Sequence, residues 1–266
     1  MVKVDNRQFS QADIPLLEFD PDKKALIEPA MMHRKQDLPE ACVMIFYADV
    51  IHKLSGEGIL KKAYTLASYG ITIQPVDVFT ARTPIGDVAV VFPGIGAPIA
   101  AAILEELIAL GCRRFVACGS GGVLKPELKR GTVVIPSSAV RDEGTSYHYL
   151  PPSRTVEMDP GVVVKLEKVL QKHHISYETG KTWTTDGFYR ETKKKIAARK
   201  KENCLIVEME SAAFLAVAKF RDIAFGQYLS AGDDVSGDEW DSRMVSDKMP
   251  FKEKLFWLSV EACLSL

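Results

Sequence analysis

The sequence has almost no excess charge of either sign: 34 lysines and arginines stand against 35 aspartates and glutamates, a net charge of -1 over 266 residues. A nucleic acid or an anionic membrane surface would therefore meet no broad positive field, and the expected partner is a small molecule. Cysteine is scarce and odd in number. Cys42, Cys112, Cys118, Cys204 and Cys263 show no C-x-x-C spacing and mostly sit beside apolar residues, so they read as reduced, buried thiols. The five histidines include no H-E-x-x-H, and His173 and His174, being adjacent, would diverge on a helix. That pattern argues against a metal site, and no cofactor is expected. Long apolar runs are missing as well. The uncharged run 88–104 is interrupted by Pro93, Gly94, Gly96 and Pro98 and is shorter than the ~20 residues a membrane-spanning helix needs. The N-terminal MVKVDNRQFSQAD lacks the continuous apolar stretch of a secretory signal, so the expected location is the cytoplasm.

What is present is an ordinary globular composition, 47% hydrophobic and 26% charged. Residues 1–36 carry prolines and charges without a sustained period and read as an extension lying over the body or over a neighbouring subunit. Residues 37–266 read as one domain. The run Ala41-Cys-Val-Met-Ile-Phe-Tyr47 is continuously apolar, as a strand buried on both faces should be. Strands are further predicted at 71–80, 88–92, 114–118, 132–135, 177–184, 204–207 and 223–230. Helices are predicted at 98–110, 161–173, 191–201, 209–220 and from Pro250. This alternation is that of an α/β fold with a mixed, mostly parallel central sheet flanked by helices. On the helix 98–110, Ile99, Ala102, Ile103, Leu107 and Leu110 form one stripe, with Glu105 and Glu106 off it. The long stretch 136–160 reads as an irregular rim or lid.

Three constellations carry chemistry. Phe92-Pro-Gly-Ile-Gly-Ala-Pro98 and Cys118-Gly-Ser-Gly-Gly-Val123 each follow an apolar strand, where glycines let backbone N–H groups approach an anion or a sugar. In Leu205-Ile-Val-Glu-Met-Glu-Ser-Ala-Ala-Phe-Leu-Ala-Val-Ala218, two carboxylates stand at a strand-to-helix junction with no other charge nearby. Burying them without partners is expensive, so Glu208 and Glu210 must be held there, either as helix N-terminal charges or to accept two vicinal hydroxyls. The third constellation, Ala231-Gly-Asp-Asp-Val-Ser-Gly-Asp-Glu-Trp-Asp241, puts Asp233 and Asp234 side by side at a strand end. Each should raise the other's pKa and so suit one of them to deliver a proton.

These pieces are joined by Glu106-Leu107 with Leu110-Gly111, by Val140-Arg-Asp-Glu-Gly-Thr-Ser146 and by Phe188, in an order that resembles the nucleoside phosphorylase superfamily. Purine nucleoside phosphorylases, uridine phosphorylases and methylthioadenosine nucleosidases belong to it. The resemblance runs from about residue 37 to the C-terminus and implies cleavage of a nucleoside's N-glycosidic bond by a self-associating enzyme. It assigns Glu210 to the ribose hydroxyls, Met209 to the sugar face, Glu208 to support of the junction, and Phe188 with Gly121 and Gly122 to the base. It gives base protonation to Asp234 or its neighbour Asp233. The glutamine and arginine with which uridine phosphorylases read uracil are not reproduced, since Arg190, Thr192 and Lys194 stand nearby instead, so a purine-type base is expected.

The chain departs from the phosphorylases where phosphate should bind. Tyr47-Ala-Asp-Val-Ile-His-Lys53 replaces a Gly-Asp-Pro-x-x-Arg-like loop, Ala117 stands in place of an arginine, and no arginine precedes Phe79-Thr-Ala-Arg82. The usual bidentate anion clamp is missing. Two nucleophiles stay open. Phosphate, the nominal co-substrate, would rest on the amides around Gly96 and Ser120, the Ser120 hydroxyl and a cation at His52 or Lys53. Water would be activated by Asp49 or His52. A nucleoside-binding protein without catalysis is the third reading. Gly94-Ile-Gly96 lacks the third glycine of G-x-G-x-x-G, which sets a dinucleotide site aside.

Overall fold

The computed structural model describes residues 9, 11–33, 35–66, 75–243 and 248–266. The elements run β1 (Ala41–Ile45), α2 (Ala48–Gly56), β2 (Lys61–Leu66), β3 (Val76–Thr83), β4 (Gly86–Val91), α3 (Ala97–Leu110), β5 (Arg114–Val123), β6 (Val133–Asp142), β7 (Thr155–Glu157), α4 (Pro160–Lys172), β8 (Tyr177–Thr185), α5 (Lys193–Lys201), β9 (Cys204–Glu208), α6 (Ser211–Arg221), β10 (Ala224–Asp234) and α7 (Met249–Ser265), preceded by a short α1 (Pro29–Met32). All ten strands join one sheet ordered β10-β6-β8-β9-β5-β1-β4-β3-β2, with β7 on β6, and β10 also pairs β5. That last pairing closes β5, β10, β6, β8 and β9 into a ring, from which β1, β4, β3 and β2 extend as an open wing.

The α/β architecture and the mixed sheet follow the expectation from sequence. Parallel ladders carry the centre, where β1 pairs β4 and β5, β10 pairs β5, and β8 pairs β6 and β9. Antiparallel ladders form the rims and close the ring. Every residue of β1 is buried, which explains its unbroken apolar sequence. α3 and α6 cover one face, and α7 packs against β1 and β5. All five cysteines are free and buried.

Several local expectations change. Residues 136–160 are not an irregular lid: β6 continues through Pro136 to Asp142, a 3₁₀ turn spans Thr145–His148, and β7 returns against β6. Proline normally ends a strand interior, but the β6–β8 register slips between Pro136 and Ser138, and an irregularity of that kind accommodates the missing N–H. Arg141 holds the turn by donating to the Ser146 hydroxyl and to the Pro151 and Leu150 carbonyls. Glu105 and Glu106 are buried, not solvent-facing. Both Glu105 oxygens accept from Arg221 Nε at 2.9 Å, and Glu106 lies 3.4 Å from His33 of the N-terminal segment. The strand expected at 71–80 is seen from Val76, since residues 71–74 lie outside the described residues. The amphipathic α2 and the edge strand β2 were not predicted.

Candidate active site

The opening at the heart of the site is made by β5. Along Arg114–Cys118 its flank is occupied by β1, while at Gly122 and Val123 it is occupied by β9, so neither strand pairs Gly119–Gly121 on that side. The second Gly-rich segment is thus not a loop, as expected, but the last half of this strand. Its glycines are dictated by close approach: a Cβ on Gly121 would lie 2.5 Å from the Val207 carbonyl oxygen. The first Gly segment is a true loop. Gly94 and Gly96 have positive φ, 73° and 100°, before α3 begins at Ala97.

Across this opening lies the junction of β9 and α6. The chain is extended only to Glu208, and Glu210 is the N-cap of α6, so the helix starts two residues later than predicted. The two glutamates have separate tasks. Glu208 Oε2 accepts from the backbone N–H groups of Glu210 (2.7 Å) and Ser211 (2.6 Å), and Oε1 accepts from the hydroxyls of Thr184 (2.6 Å) and Thr182 (3.2 Å). Burial pushes its carboxyl up, and these donors oppose the shift. It is the keystone of the strand-to-helix turn. Glu210 is buried with a single cross-chain link, accepting from Gly96 N at 2.6 Å. Burial, then the charge of Glu208, pushes its carboxyl up to about 8, against the pull of the Gly96 amide.

A cavity of about 610 Å³ opens onto this junction, and it gathers Ser120, Glu208, Met209, Glu210 and Asp233 of the expected residues. Gly96 joins through its bond to Glu210. A larger depression of about 790 Å³, lined by Met158, Val163, Leu215 and Phe225 among others, includes none of the expected site residues.

The adjacent aspartates diverge. Asp233 lines the cavity and accepts from Trp240 Nε1 at 2.7 Å. Asp234 turns away and is bound by Arg243 at 2.6 Å and by Ser236 N at 2.7 Å. Burial would raise its carboxyl, but the Ser236 and Arg243 hydrogen bonds outweigh that and hold it below the usual range, so the expected mutual elevation fails for Asp234. Successive strand residues point to opposite faces, which separates the pair. Glu191 is the acid with a raised pKa near Asp233: burial, then the Asp233 charge, pushes it up to about 7.

Other expected residues are not brought in. Phe188 is 52% exposed on a 3₁₀ turn, its ring 4.0 Å from that of Tyr189, outside the cavity lining. Gly121 and Gly122 pack on Val207 instead of lining the cavity, although a Cβ on Gly122 would lie 3.7 Å from Asp233 Oδ1. His52 lines a separate apolar cavity with Ile51, Phe79, Phe92 and Ile99. Asp49 is 2.7 Å from Lys252 Nζ. Conversely, Tyr47, Arg130, Gln227, Trp240 and Lys252 line the site cavity without having been singled out. Two carried a signal: Gln227 is a polar residue within an apolar strand, and Lys252 is a cation in a helix first turn, where the dipole disfavours it.

A profile of the phosphorylase superfamily matches residues 61–255. The chain is 26% identical over 168 residues to guanosine phosphorylase of Halorubrum lacusprofundi, a match covering 63% of this chain and 70% of that one. It is 33% identical over 153 residues to uridine phosphorylase of Treponema pallidum, covering 53% and 59% respectively, so this match spans less than two thirds of that relative. The crystal structure of uridine phosphorylase from Vibrio fischeri superposes with a TM-score of 0.70 at 20% identity, over 86% of this chain and 91% of that one. With a sheet branched at a glycine-rich strand, a capped Glu-Met-Glu junction and a sequence matching over most of its length, the chain is an α/β enzyme that belongs to the phosphorylase superfamily.

Proposed function

We propose that this enzyme cleaves the N-glycosidic bond of a purine-type nucleoside and transfers the ribosyl group to phosphate. The observation that carries this reading is the placement of Glu210, buried and tied to the Gly96 amide, in one cavity with Asp233 and Ser120. A carboxyl that titrates near 8 exchanges its proton readily at neutral pH and can meet two vicinal ribose hydroxyls as both donor and acceptor. Met209 packs on the sugar beside it. As the C1′–N bond breaks, its electron pair passes to the base, and a proton from Asp233, which must be protonated for the step, arrives at a ring nitrogen. A phosphate oxygen then forms the new bond to C1′, giving ribose 1-phosphate and free base. Proton delivery of this kind contributes about 10²–10⁴-fold. Exposed apolar side chains near the opening, Ile95 at 70% and Trp240 at 68%, suit a second copy of the chain as cover and support the expectation of a homo-oligomer.

Hydrolysis is the second reading, favoured by the alanine at position 117 and the lack of arginines in the first loop. The deciding assay follows base release from inosine or adenosine in phosphate-depleted buffer, then after phosphate is added. Phosphorolysis predicts release that depends on phosphate and yields ribose 1-phosphate. Undiminished release without phosphate, with free ribose as product, would sink it. Binding of the nucleoside with no base released under either condition would favour a binding protein.

A further inference from the structure

The N-terminal segment 11–33 crosses the surface as a strap and lies outside residues 61–255, the part that matches the superfamily. Its 3₁₀ turn Pro15–Leu17 meets the turn Thr145–His148, Lys23 Nζ lies 3.5 Å from Asp222 at the end of α6, and α1 rests on α3. Most of its apolar side chains face solvent, Leu26 at 98% exposure, with Ile27 and Met31 also exposed. His33 is the one residue of 11–33 that is buried, at 4% exposure. A segment fastened by apolar burial would tuck in Leu26 or Ile27. This one buries a titratable ring instead, which is costly unless the ring is paired.

The pairing is specific. His33 Nδ1 lies 3.3 Å from the Tyr64 hydroxyl of β2, and Nε2 lies 3.4 Å from Glu106 Oε2 of α3. Neither Nε2 nor Oε2 has another partner among the described residues. The neighbouring charges are committed elsewhere: both Glu105 oxygens accept from Arg221, which also donates to the Lys23 carbonyl at 3.0 Å. Glu28 and Tyr149 bear on Glu105, and His33 is the charged group that bears on Glu106. Burial raises the Glu106 carboxyl, and His33 opposes that rise. With one proton between them the two side chains are neutral as a pair. Without it, a buried carboxylate stands unpaired, and an uncompensated buried charge of that kind is strongly destabilising.

We propose that His33 and Glu106 form a one-proton latch that fastens the N-terminal strap to α3 and releases it as pH rises. Once released, both side chains meet water, and above the ordinary histidine range, about 6.5, they hold no proton, whereas the docked pair holds one. Docking therefore takes up a proton, and its equilibrium constant falls by up to about tenfold per pH unit on the alkaline side. Release has a consequence at the strap's far end. Leu16 lies against Gly144, whose N–H donates to Asp186 at 2.9 Å, and the Asp186 charge bears on Glu210. The latch works the same whichever nucleophile the enzyme uses. Hydrogen–deuterium exchange of the full-length protein, followed by mass spectrometry from about pH 6 to about pH 9 and corrected for intrinsic exchange, tests it. Amides of α1 and its cap, such as His33 N bonded to the Pro29 carbonyl, should lose protection at least about tenfold across that range, while those of β1 keep theirs. Glu106→Gln cannot become a buried anion, so the dependence on pH should vanish in that variant. His33→Gln combined with Glu106→Gln, which leaves two neutral amides, should give the same flat profile and serves if the single variant fails to fold. Protection of α1 that does not change with pH in the wild type, a loss shared equally by β1, or an undiminished alkaline loss in the variants would overturn the latch.

Discussion

Two carboxylates two residues apart do opposite work here. Glu208 is saturated by four donors from two segments, β8 and the start of α6, whereas Glu210 has one strong tie and lines the cavity. Glu210→Ala should therefore lower kcat/KM by about 10²-fold or more, since two hydrogen bonds to the sugar at about 0.5–1.5 kcal/mol each or more are lost, with the protein still folded. Steady-state kinetics and thermal melts together check this, and wild-type turnover would remove Glu210 from the mechanism. The same residue sets a pH dependence of stability. Its folded pKa of about 8 exceeds the ordinary 4.5, so the folded chain holds a proton that the unfolded chain releases. The stability it contributes is complete below about 4.5 and is lost as pH rises through about 8. Glu210→Gln, which cannot ionise, should gain on the wild type across that window in ligand-free thermal melts, and parallel curves would show that the proton is not held. The aspartates give a third test: Asp233→Asn should cut kcat by about 10²–10⁴-fold. Asp234→Asn should instead lower stability by about 1–3 kcal/mol, because it leaves Arg243 short of its anionic partner. The reverse pattern in kinetics and urea melts would move the acid to Asp234.

Among the elements, β5 does the most to create the site, because it changes neighbours halfway along. The exchange of β1 for β9 requires a strand with no side chain at the crossing, and Gly121→Ala would force its Cβ to 2.5 Å from a backbone oxygen that cannot easily move. Denaturant melts should show a loss of about 1–3 kcal/mol, with the junction at Glu208 shifted and activity reduced beyond the stability effect. Wild-type stability would mean that β9 can step back at no cost. The sequence announced the glycines, but it read them as a loop, because glycine usually breaks a strand and nothing local reveals a neighbouring backbone. Pro136 misled in the same way: it marked an end to β6, where the sheet absorbs it at a register slip.

For the whole molecule, what was legible depended on whether a residue's role was local. Glu210 stood out because a carboxylate amid apolar residues needs a reason wherever it folds. β1 stood out because an unbroken apolar run fits few other places. Lys252 and Gln227 carried only a faint local signal, since their place at the cavity arises from α7 and β10 meeting β1 and β5, contacts more than a hundred residues apart in sequence. His52 was misplaced for a related reason: it shares a loop-to-helix segment with Asp49, but α2 turns it toward another cavity.

The bond between Gly96 N and Glu210 ties the two halves of the chemistry together. In this structure the Gly96 amide, expected from sequence to meet the anion, is already engaged by Glu210, the carboxyl proposed to hold the sugar. On the proposed reading, a nucleoside that drew Glu210 onto its hydroxyls would set that amide free, so the first guest would unlock a seat for the second. Such coupling would be reciprocal, so phosphate would tighten nucleoside binding by the same factor. Titration of phosphate against the protein saturated with a non-cleavable nucleoside analogue should show affinity at least about fivefold higher than in its absence. Equal affinities would mean that the seats are independent. The practical effect is economy of order, because phosphate, abundant in any cell, would hold the site weakly until a nucleoside has arrived.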